Sequence, residues 1–491
     1  MKPRLSLVGV LCLLANVTSA ADWNQWRGAG RDGVAKNSPS LFTSLPAEGL
    51  KPTWIAQDEL TNAKGGGWSS PVIANGKVYL FTHKRIQVGK EKAPKKQFPW
   101  LPPDKRTGMS DEEYQEYERK RRDEDEALAK FYRFDEKTYC LNAETGKIEW
   151  TNNRESVYTR FPQSGSPAVI DGKLYVLGAG RVARCIDATS GKDVWNSKLP
   201  GEFRDEMLQS SFAVADGVAV VLATELFGLD TATGDVLWKT KEEQSRSIHT
   251  SPVVWKNEGR SYFICNLPTS ETVCIEPKAG EEIWREKTMG GNSTPLIVGD
   301  LLLTYGSSRK AGLRCFRLSE KSAEHLWTCQ RTADPGSSPV VVNGHVYVQG
   351  ERRLACVSLV DGRSTWMTDL DLNRPRYTSL VAADNKVVYA HEGILCFAAN
   401  ADDFTQLINA KIDSEGLMAE EAAFRKMLNM DELEKTAEGQ KEAERLWRKT
   451  FNSAGPLACA TPAIVDGRVF IRLQNGIACY DLRAASDVPS E

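Results

Sequence analysis

Short apolar runs separated by turn residues recur eight times along the chain. Each copy has a hydroxyl residue among its first two positions, usually followed by proline, and continues through an apolar run, a turn and a second apolar run. Turns such as Asn75-Gly76 and Asp171-Gly172 favour the positive φ angles of a two-residue hairpin. Each copy therefore predicts a β-hairpin. The copies are SSPVIANGKVYLF from Ser69, GSPAVIDGKLYVL from Gly165, SSFAVADGVAVVL from Ser210, TSPVVWKNEGRSYFI from Thr250, STPLIVGDLLLTY from Ser293, SSPVVVNGHVYVQ from Ser337, TSLVAADNKVVYA from Thr378 and ATPAIVDGRVFIR from Ala460.

A second element, with the spacing C-x5-G-x3-W, follows most of these hairpins. Cys140, Gly146 and Trp150 form its first copy. The interval between successive tryptophans leaves room for four short strands and for no helix, which is the length of one propeller blade. Blades bury their faces only by stacking in a closed ring. The pattern therefore predicts an all-β fold, an eight-bladed β-propeller of four-stranded antiparallel blades.

The last repeat lacks a fourth strand, and Trp54 stands outside the repeats. We therefore predict that residues 51–56 form the strand that closes the last blade of a single domain, residues 21–491. Two charged segments interrupt the period, residues 84–137 in blade 1 and residues 403–454 in blade 7. Both read as helical inserts, either solvated decorations or lids, or docking elements for a partner.

Residues 1–20 have the pattern of a secretory signal peptide. Lys2 and Arg4 precede an apolar run, and Ala20 follows small residues suited to cleavage. No later run is long enough for a transmembrane helix. With 63 Lys and Arg against 65 Asp and Glu, the formal net charge is −2, which argues against nucleic-acid binding. We expect an exported monomer, periplasmic or extracellular.

The repeat SPxVxDGxVYV followed by C-(L/I)-(D/N)-A-x-(T/S)-G-K-x-x-W resembles the pyrroloquinoline quinone (PQQ) repeat. The opening ADWNQWRGAGRDGVA is similar to the start of exported PQQ-repeat proteins of planctomycete type. The resemblance covers the chain from Trp23 to Leu482. It implies the fold of the quinoprotein dehydrogenases and of the outer-membrane assembly propeller, but it does not choose between their functions, because function lies in the loops.

An enzyme of the quinoprotein type needs PQQ, a carboxylate-bound Ca²⁺ and a catalytic Asp at the axis. The segments that enter the eight repeats contain no acid, no two cysteines are adjacent, and the five histidines have no metal-ligand spacing. We therefore expect no catalytic, cofactor-binding or metal-binding residues. The favoured function is a protein-binding or envelope-assembly scaffold; a PQQ-dependent oxidoreductase and a carbohydrate- or peptide-binding propeller are the alternatives.

Eight hydroxyl residues occupy one equivalent position at the start of the repeats. They either bond nearby backbone or line a channel that accepts a ligand. The loops around them bear arginines, including Arg204 and Arg331, which are solvated surface groups in the plainer interpretation. An axis mouth of this kind suits a protein partner, or an anionic or carbohydrate ligand. The candidate binding residues are Trp68, Arg160, Gln209, Arg246, His249, Asn292, Arg376 and Tyr377.

Two further features have structural interpretations. The opening motif WNQWRGAGRDGVA reads as a clasp, with a local charge network of Arg27, Arg31 and Asp32, or as a partner-docking element. Seven of the 11 cysteines share one strand position in successive blades, too far apart for disulfides. Cys265 and Cys274, across a hairpin, remain the plausible bridge.

Overall fold

The structure, a computed structural model, describes residues 22–57, 60, 67–159, 161–163, 165–201, 206–241, 247–371 and 377–484. Within these ranges the strands form eight blades: seven are four-stranded antiparallel sheets, and in blade 7 the four antiparallel strands are extended by Val34–Ala35 on one edge and Met418–Ala419 on the other. The innermost strands of blades 1 and 8 contact each other, so the ring is closed. The eight-bladed β-propeller that the sequence predicts is confirmed.

The two inner strands of each blade correspond to the repeated hairpins. The innermost strands are Val72–Ala74, Ala168–Ile170, Ala213–Ala215, Val253–Asn257, Leu296–Val298, Val340–Val342, Val381–Ala383 and Ala463–Val465. The second strands are Lys77–Gln87, Lys173–Gly178, Val218–Leu222, Arg260–Asn266, Leu301–Tyr305, His345–Gly350, Lys386–Ala390 and Arg468–Leu473.

The two outer strands carry the cysteine and tryptophan positions. The third strands are Tyr132–Asn142, Val182–Asp187, Leu226–Asp230, Thr272–Ile275, Leu313–Leu318, Arg353–Ser358, Ile394–Ala398 and Gly476–Asp481. The outermost strands are Ile148–Val157, Asp193–Lys198, Val236–Lys239, Glu282–Glu286, Ala323–Cys329, Ser364–Asp369, Gln406–Ile412 and Trp54–Ala56. Met207–Leu208 pairs separately, in parallel, with Ser247–Ile248.

The outermost strand of blade 8 comes from the other end of the chain. Trp54–Ala56 runs antiparallel to Gly476–Asp481 and places Trp54 opposite Cys479. Blades 1, 2, 4, 5 and 6 show the same cysteine–tryptophan pair, with Cys140 opposite Trp150 in blade 1, and in blade 3 Gly228 lies opposite Trp238. A small residue faces each indole, and this explains why the repeat holds cysteine there. The ring is thus fastened by a strand that precedes blade 1.

The glycine of the C-x5-G-x3-W element packs against the tryptophan side chain of the preceding blade. The Trp54 indole N–H donates to the Ala143 carbonyl at 2.9 Å, and a Cβ on Gly146 would lie 2.4 Å from the same ring. Only glycine therefore fits at this turn, whose φ is +69°. The contact recurs at Trp150 and Gly191, Trp195 and Gly234, Trp238 and Gly280, and Trp327 and Gly362.

The inserts contain helices, with boundaries that differ from the sequence-based ones. In blade 1 the hairpin strands run to Gln87 and from Tyr132, and a 3₁₀ turn Pro103–Arg106, helix α1 (Asp111–Leu128) and a 3₁₀ turn Ala129–Phe131 lie between them. In blade 7 residues 406–412 form the fourth strand, where Ile408 replaces the tryptophan.

Three short helices follow that strand. They are α2 (Glu421–Met427), α3 (Met430–Leu433) and α4 (Ala437–Phe451), and Met418–Ala419 adds a short strand beside blade 7. Phe424 of α2 packs against Phe451 of α4 with ring centroids 5.0 Å apart. None of the described helices is long and apolar enough to cross a membrane. The signal peptide predicted at residues 1–20 lies outside the described residues.

The cysteines of the described residues are all reduced thiols. Cys265 lies opposite Val273, and Cys274 lies opposite Ile264, so their side chains do not meet across the hairpin. The bridge that the sequence left plausible is therefore absent among these residues. Burial raises the pKa of the Cys274 thiol to about 12, as expected of a packing residue in a propeller sheet.

Candidate functional site: the two ends of the central channel

The N-terminal segment enters and leaves the central channel through one face. Asp22 accepts a hydrogen bond from the N–H of Asn75, and the N–H of Leu41 donates to Asp384. Asn75 and Asp384 belong to the turns that follow innermost strands. We call this the turn face, and the opposite face, where one blade connects to the next, the loop face.

Inside the channel, residues 23–35 form a plug. The Trp23 carbonyl accepts from the N–H of Ile73 in blade 1, and Asn24 donates to the Val169 carbonyl of blade 2. Val34–Ala35 pairs in parallel with the innermost strand of blade 7. The opening motif therefore touches blades on several sides of the axis, which supports its interpretation as a structural clasp.

Two arginines of the plug are buried in the channel. Arg31 donates to the main-chain carbonyls of Pro252, at 2.9 Å, and of Phe212. Arg27 donates to the carbonyls of Pro339 and Asp32. Burial lowers the pKa of Arg31 to about 9 and that of Arg27 to about 10. Arg31 thus binds blade backbone rather than the local Asp32 network that the sequence predicted.

The hydroxyl residues lie in a ring above the plug, and at six of the eight blade junctions a hydroxyl accepts a backbone N–H of the neighbouring blade. The Ser166 hydroxyl accepts from the N–H of Ser70 at 2.9 Å, and Ser211 accepts from Ser166 at 2.8 Å. The same bond joins Ser251 to Ser211, Thr294 to Ser251, Ser379 to Ser338, and Ser70 to Thr461. This geometry supports the structural interpretation of the hydroxyls, with the backbone partner lying in the neighbouring blade.

A cavity of about 330 Å³ lies on the loop-face side of the plug. The indole N–H of Trp26, the plug residue that lines the cavity, donates to the Thr461 hydroxyl at 3.1 Å. The channel is therefore filled beneath the cavity. The lining residues are Trp26, Trp68, Ser70, Phe161, Ser166, Met207, Gln209, Ser211, His249, Ser251, Gly336, Tyr377 and Cys459.

Four of the eight residues that the sequence nominated line this cavity: Trp68, Gln209, His249 and Tyr377. Asn292 is not one of the lining residues named above, but its side-chain oxygen accepts a hydrogen bond from the N–H of His249 at 3.4 Å. The other three nominated residues, and Arg204, lie outside the described residues; the three are Arg160, Arg246 and Arg376. That these residues bind a ligand stays a prediction.

Sequence reasoning missed part of the lining. Trp26 belongs to a motif that was interpreted as a clasp, and no local signal places it on the axis. Phe161 and Met207 lie in connections between blades, where the repeat has no fixed pattern. Cys459 lies one residue before the last repeat, at a φ of +72°. These positions become neighbours only through closure of the ring.

Aromatic rings make up much of the cavity wall. The ring centroids of Trp68 and Phe161 lie 6.4 Å apart, and those of His249 and Tyr377 lie 5.0 Å apart. Tyr377 is held in a left-handed conformation, with φ at +61°. The buried carboxylate of Asp334 fixes it, because it accepts the N–H of Tyr377 at 3.2 Å.

The described lining residues include no Asp, Glu, Lys or Arg. Burial lowers the pKa of His249 to about 4, so its imidazole is neutral at pH 7. Burial also raises the pKa of the Cys459 thiol to about 12. Gln209 donates through its amide nitrogen to the Pro162 carbonyl at 3.3 Å. Its amide oxygen is buried without a hydrogen-bond partner.

These features define a class: an eight-bladed propeller built from PQQ-type repeats, with an aromatic cavity at one end of its axis whose described lining is uncharged. The family described as PQQ_2, outer membrane protein assembly factor BamB, matches residues 134–322 and 259–423. The chain belongs to this family.

Known proteins resemble the chain in sequence or in fold. The outer membrane protein assembly factor BamB of Salmonella typhimurium is 19% identical over 366 residues, which cover 68% of this chain and 88% of that protein. The quinohemoprotein alcohol dehydrogenase ADHIIG of Pseudomonas putida HK5 superposes with a TM-score of 0.54 at 11% identity, over 96% of this chain and 82% of its own. The enzyme from Comamonas testosteroni gives 0.51 at 12%, over 97% and 83%. The two dehydrogenases share the fold alone.

The quinoprotein fold raises the question of whether PQQ and Ca²⁺ fit this cavity. The cofactor carries carboxylates, which need cationic or donor partners, and Ca²⁺ needs several converging oxygen ligands. Among the described lining residues no side chain is cationic and none is a carboxylate. No group of three His, Cys, Asp or Glu residues converges anywhere in the described residues. The described lining residues do not fit the group.

Proposed function

We propose that this protein is an exported, non-enzymatic propeller that binds a protein partner in the cell envelope and acts there as an assembly scaffold. Its family membership and its similarity to a protein named as an outer membrane assembly factor support this role. The observation that carries the proposal is the aromatic cavity, uncharged along its described lining, that opens at the loop face and is filled beneath by Trp26.

The polar groups around the cavity are engaged in structure rather than poised for catalysis. The Ser211 hydroxyl accepts a backbone N–H of blade 2, and the Asp334 carboxylate accepts the backbone N–H groups of Gly336 and Ser337. A thiol whose pKa is about 12, as for Cys459, is not a thiolate at neutral pH. A His249 with a pKa of about 4 is a weak general base.

An aromatic cavity of this kind fits protein recognition. Interfaces concentrate their binding energy in a few buried aromatic anchors that fill pockets and exclude water. Here hydrogen bonds hold two of the lining residues in place, since Trp26 donates to Thr461 at the base and Asp334 accepts the N–H of Tyr377. A preformed pocket reduces the ordering cost of association. The loop face is therefore the surface at which we place the partner.

Affinity capture from an envelope extract of the source organism tests the function. Wild-type protein, Trp68→Ala and Trp100→Ala are immobilised, and captured proteins are identified by mass spectrometry. Trp100 is a matched control, because it is 56% exposed on the insert of blade 1. We expect an envelope protein on wild type and Trp100→Ala and about tenfold less on Trp68→Ala.

Two outcomes contradict the proposal. One is equal capture by all three proteins, since the cavity would then have no part in binding. The other is a bound quinone absorbance after incubation with PQQ and Ca²⁺, which would place the protein with the oxidoreductases.

A further inference from the structure

We propose that the insert of blade 1 docks the propeller on the surface of a lipid bilayer that contains anionic phospholipid, with the loop face turned towards the lipid. The docking surface is residues 88–106, which we call the basic arm. This inference goes beyond the proposed function, because its ligand is a lipid surface and not the partner protein. Three observations carry it: the positive charge of the basic arm, the apolar side chains exposed among its lysines, and the face of the ring from which the insert leaves.

The basic arm concentrates positive charge. It contains six Lys and Arg against two acids, whereas the whole chain has a formal net charge of −2. One of its lysines, Lys96, pairs with Asp125 of α1. Four others are exposed and form no ion pair with any residue that the structure describes. These four are Lys90, Lys92, Lys95 and Lys105. The arm therefore presents ammonium groups to solvent that the described chain does not neutralise.

The basic arm is the outer layer of the insert on its side, because it covers one face of α1. The Tyr117 hydroxyl donates to the Pro99 carbonyl at 2.7 Å, and the ring centroids of Tyr117 and Phe98 lie 5.5 Å apart. The guanidinium of Arg106 lies 4.5 Å from the ring centroid of Tyr114. These contacts hold the arm on the helix and leave its other side to solvent.

Apolar side chains are exposed among the lysines. Trp100 is 56% exposed and Val88 is 44% exposed. Tryptophan is enriched at the level of the lipid headgroups, where its apolar ring and its N–H group both find suitable surroundings. Anionic headgroups attract lysines that come within a Debye length of the surface. Stable peripheral binding combines these two attractions, and the basic arm offers both.

The insert leaves the ring at the loop face, where the cavity opens. The innermost strand of blade 1 ends at the turn face, and the second strand, Lys77–Gln87, returns antiparallel to it. The basic arm begins where that second strand ends. Tyr158, shortly before Phe161 of the cavity wall, packs against Phe134 at the root of the insert with ring centroids 5.3 Å apart. A bilayer that contacts the arm therefore lies on the same side of the propeller as the cavity mouth.

An acidic protein is the competing partner, and the kind of cation disfavours it. Protein interfaces favour arginine, whose planar group can bond two oxygens at once, and are depleted of lysine. In the basic arm the arginine is engaged internally, since Arg106 donates to the Leu101 carbonyl at 2.8 Å and covers the Tyr114 ring. The exposed cations are lysines. A lipid surface attracts such point charges without requiring a matched geometry.

Sedimentation with sucrose-loaded vesicles tests the inference. The mature protein, residues 21–491, is mixed with vesicles of phosphatidylcholine alone or of phosphatidylcholine with about 30% phosphatidylglycerol. Binding to the anionic vesicles should be at least about tenfold stronger than to the neutral ones. It should weaken at least about tenfold when the salt is raised from about 50 mM to about 500 mM, because the Debye length shortens.

A triple variant of the basic arm locates the docking surface. Lys90→Gln, Lys92→Gln and Lys95→Gln together should weaken binding to anionic vesicles about a hundredfold, since each lysine near an anionic surface strengthens binding about fivefold. Trp100→Ala should weaken it about fivefold, because the indole no longer enters the headgroup layer. The four changed side chains are exposed, and melting curves verify that the fold is kept.

A second triple variant is the matched control. Lys147→Gln, Lys192→Gln and Lys278→Gln remove the same charge from exposed lysines between the third and outermost strands of their blades, which is the turn face. This protein should bind anionic vesicles within about twofold of wild type, because its lysines face away from the lipid.

Three results overturn the inference: equal binding to neutral and anionic vesicles, an equal loss in the two triple variants, or an arm variant that loses a captured envelope protein while it keeps its vesicle binding. The last result would make the arm a protein interface. The test also separates docking from the proposed function, because Trp68→Ala should lose capture but bind vesicles, and Trp100→Ala should do the opposite. Arm-dependent vesicle binding without a captured protein sustains docking and overturns the scaffold role.

Discussion

The two ends of the central channel are built from the same innermost strands, yet one is filled and the other open. On the turn-face side of the hydroxyl ring the plug supplies Arg27 and Arg31, which donate to carbonyls just before the innermost strands. At the loop face the blades satisfy one another through side-chain hydroxyls such as Ser211. The two ends differ in the source of the hydrogen bonds to the blade backbone. Where the blades bond to one another, the axis is left open and a ligand can enter.

Trp26 lies at the boundary between the two ends. Its indole N–H binds the hydroxyl ring at Thr461, and the guanidinium of Arg27 lies 5.7 Å from its ring centroid. The cationic plug is thus on one side and the uncharged cavity on the other. A single aromatic layer therefore separates the buried arginines of the plug from a cavity whose described lining is uncharged.

The largest effect should come from removing the plug and the closing strand together. Deletion of residues 22–56 empties the turn-face end and leaves blade 8 without its outermost strand. Because many buried contacts are lost at once, we expect the Tm to fall by more than about 10 °C. Differential scanning calorimetry measures it. Replacing residues 91–128 of the blade 1 insert with a short Gly-Ser linker is the control and should shift the Tm by less than about 3 °C. Equal shifts would contradict the prediction.

The two plug arginines should differ from each other. Arg31→Met removes bonds to Phe212, Pro252 and the Gln25 side chain. Arg27 uses only one of its three guanidinium nitrogens, since the other two are buried without partners. We therefore expect Arg31→Met to lower the free energy of unfolding by about 2–3 kcal/mol and Arg27→Met by about 1 kcal/mol. Urea unfolding measures both values, and the reverse order would refute this account of the channel.

A smaller effect should appear as a pH dependence at the open end. The folded-state pKa of His249 is about 4, below its ordinary value of 6.5, because burial disfavours the charged form. Between these values the unfolded chain binds more protons, so the stabilisation is full above pH 6.5 and is lost as the pH falls towards 4. Relative to His249→Gln, wild type should lose about 3 kcal/mol between neutral pH and pH 4. Parallel stability curves for the two proteins, measured in urea, would show that His249 titrates normally.

The blades could be predicted from the repeat because the packing of each blade requires the residues that the repeat contains. The residue opposite every indole must be small, and the turn beneath it must be glycine, so Cys140 and Gly146 mark the register from sequence alone. The fourth strand of blade 7 was not predicted because Ile408 occupies the tryptophan position. Its fourth strand therefore fell within the range assigned to an insert.

The candidate site was only half predictable, for a different reason. Trp68, Gln209, His249 and Tyr377 sit just before repeated hydroxyls, so the repeat itself brings them to the axis. Trp26 reaches the axis through a segment that follows no repeat. Its position depends on contacts with several blades far apart in sequence, and one sequence carries no local record of such contacts.

The closing strand has a consequence for the order of events in folding. Trp54 meets Cys479 across more than 400 residues of chain, and ring closure has to await the synthesis of both partners. Until then the exposed edge of blade 8 and the apolar face of Trp54 are unprotected, and long-range pairings of this kind form late and slowly. The N-terminal segment therefore waits for the rest of the chain, and the interval before closure is the one in which a chaperone would have most to contribute.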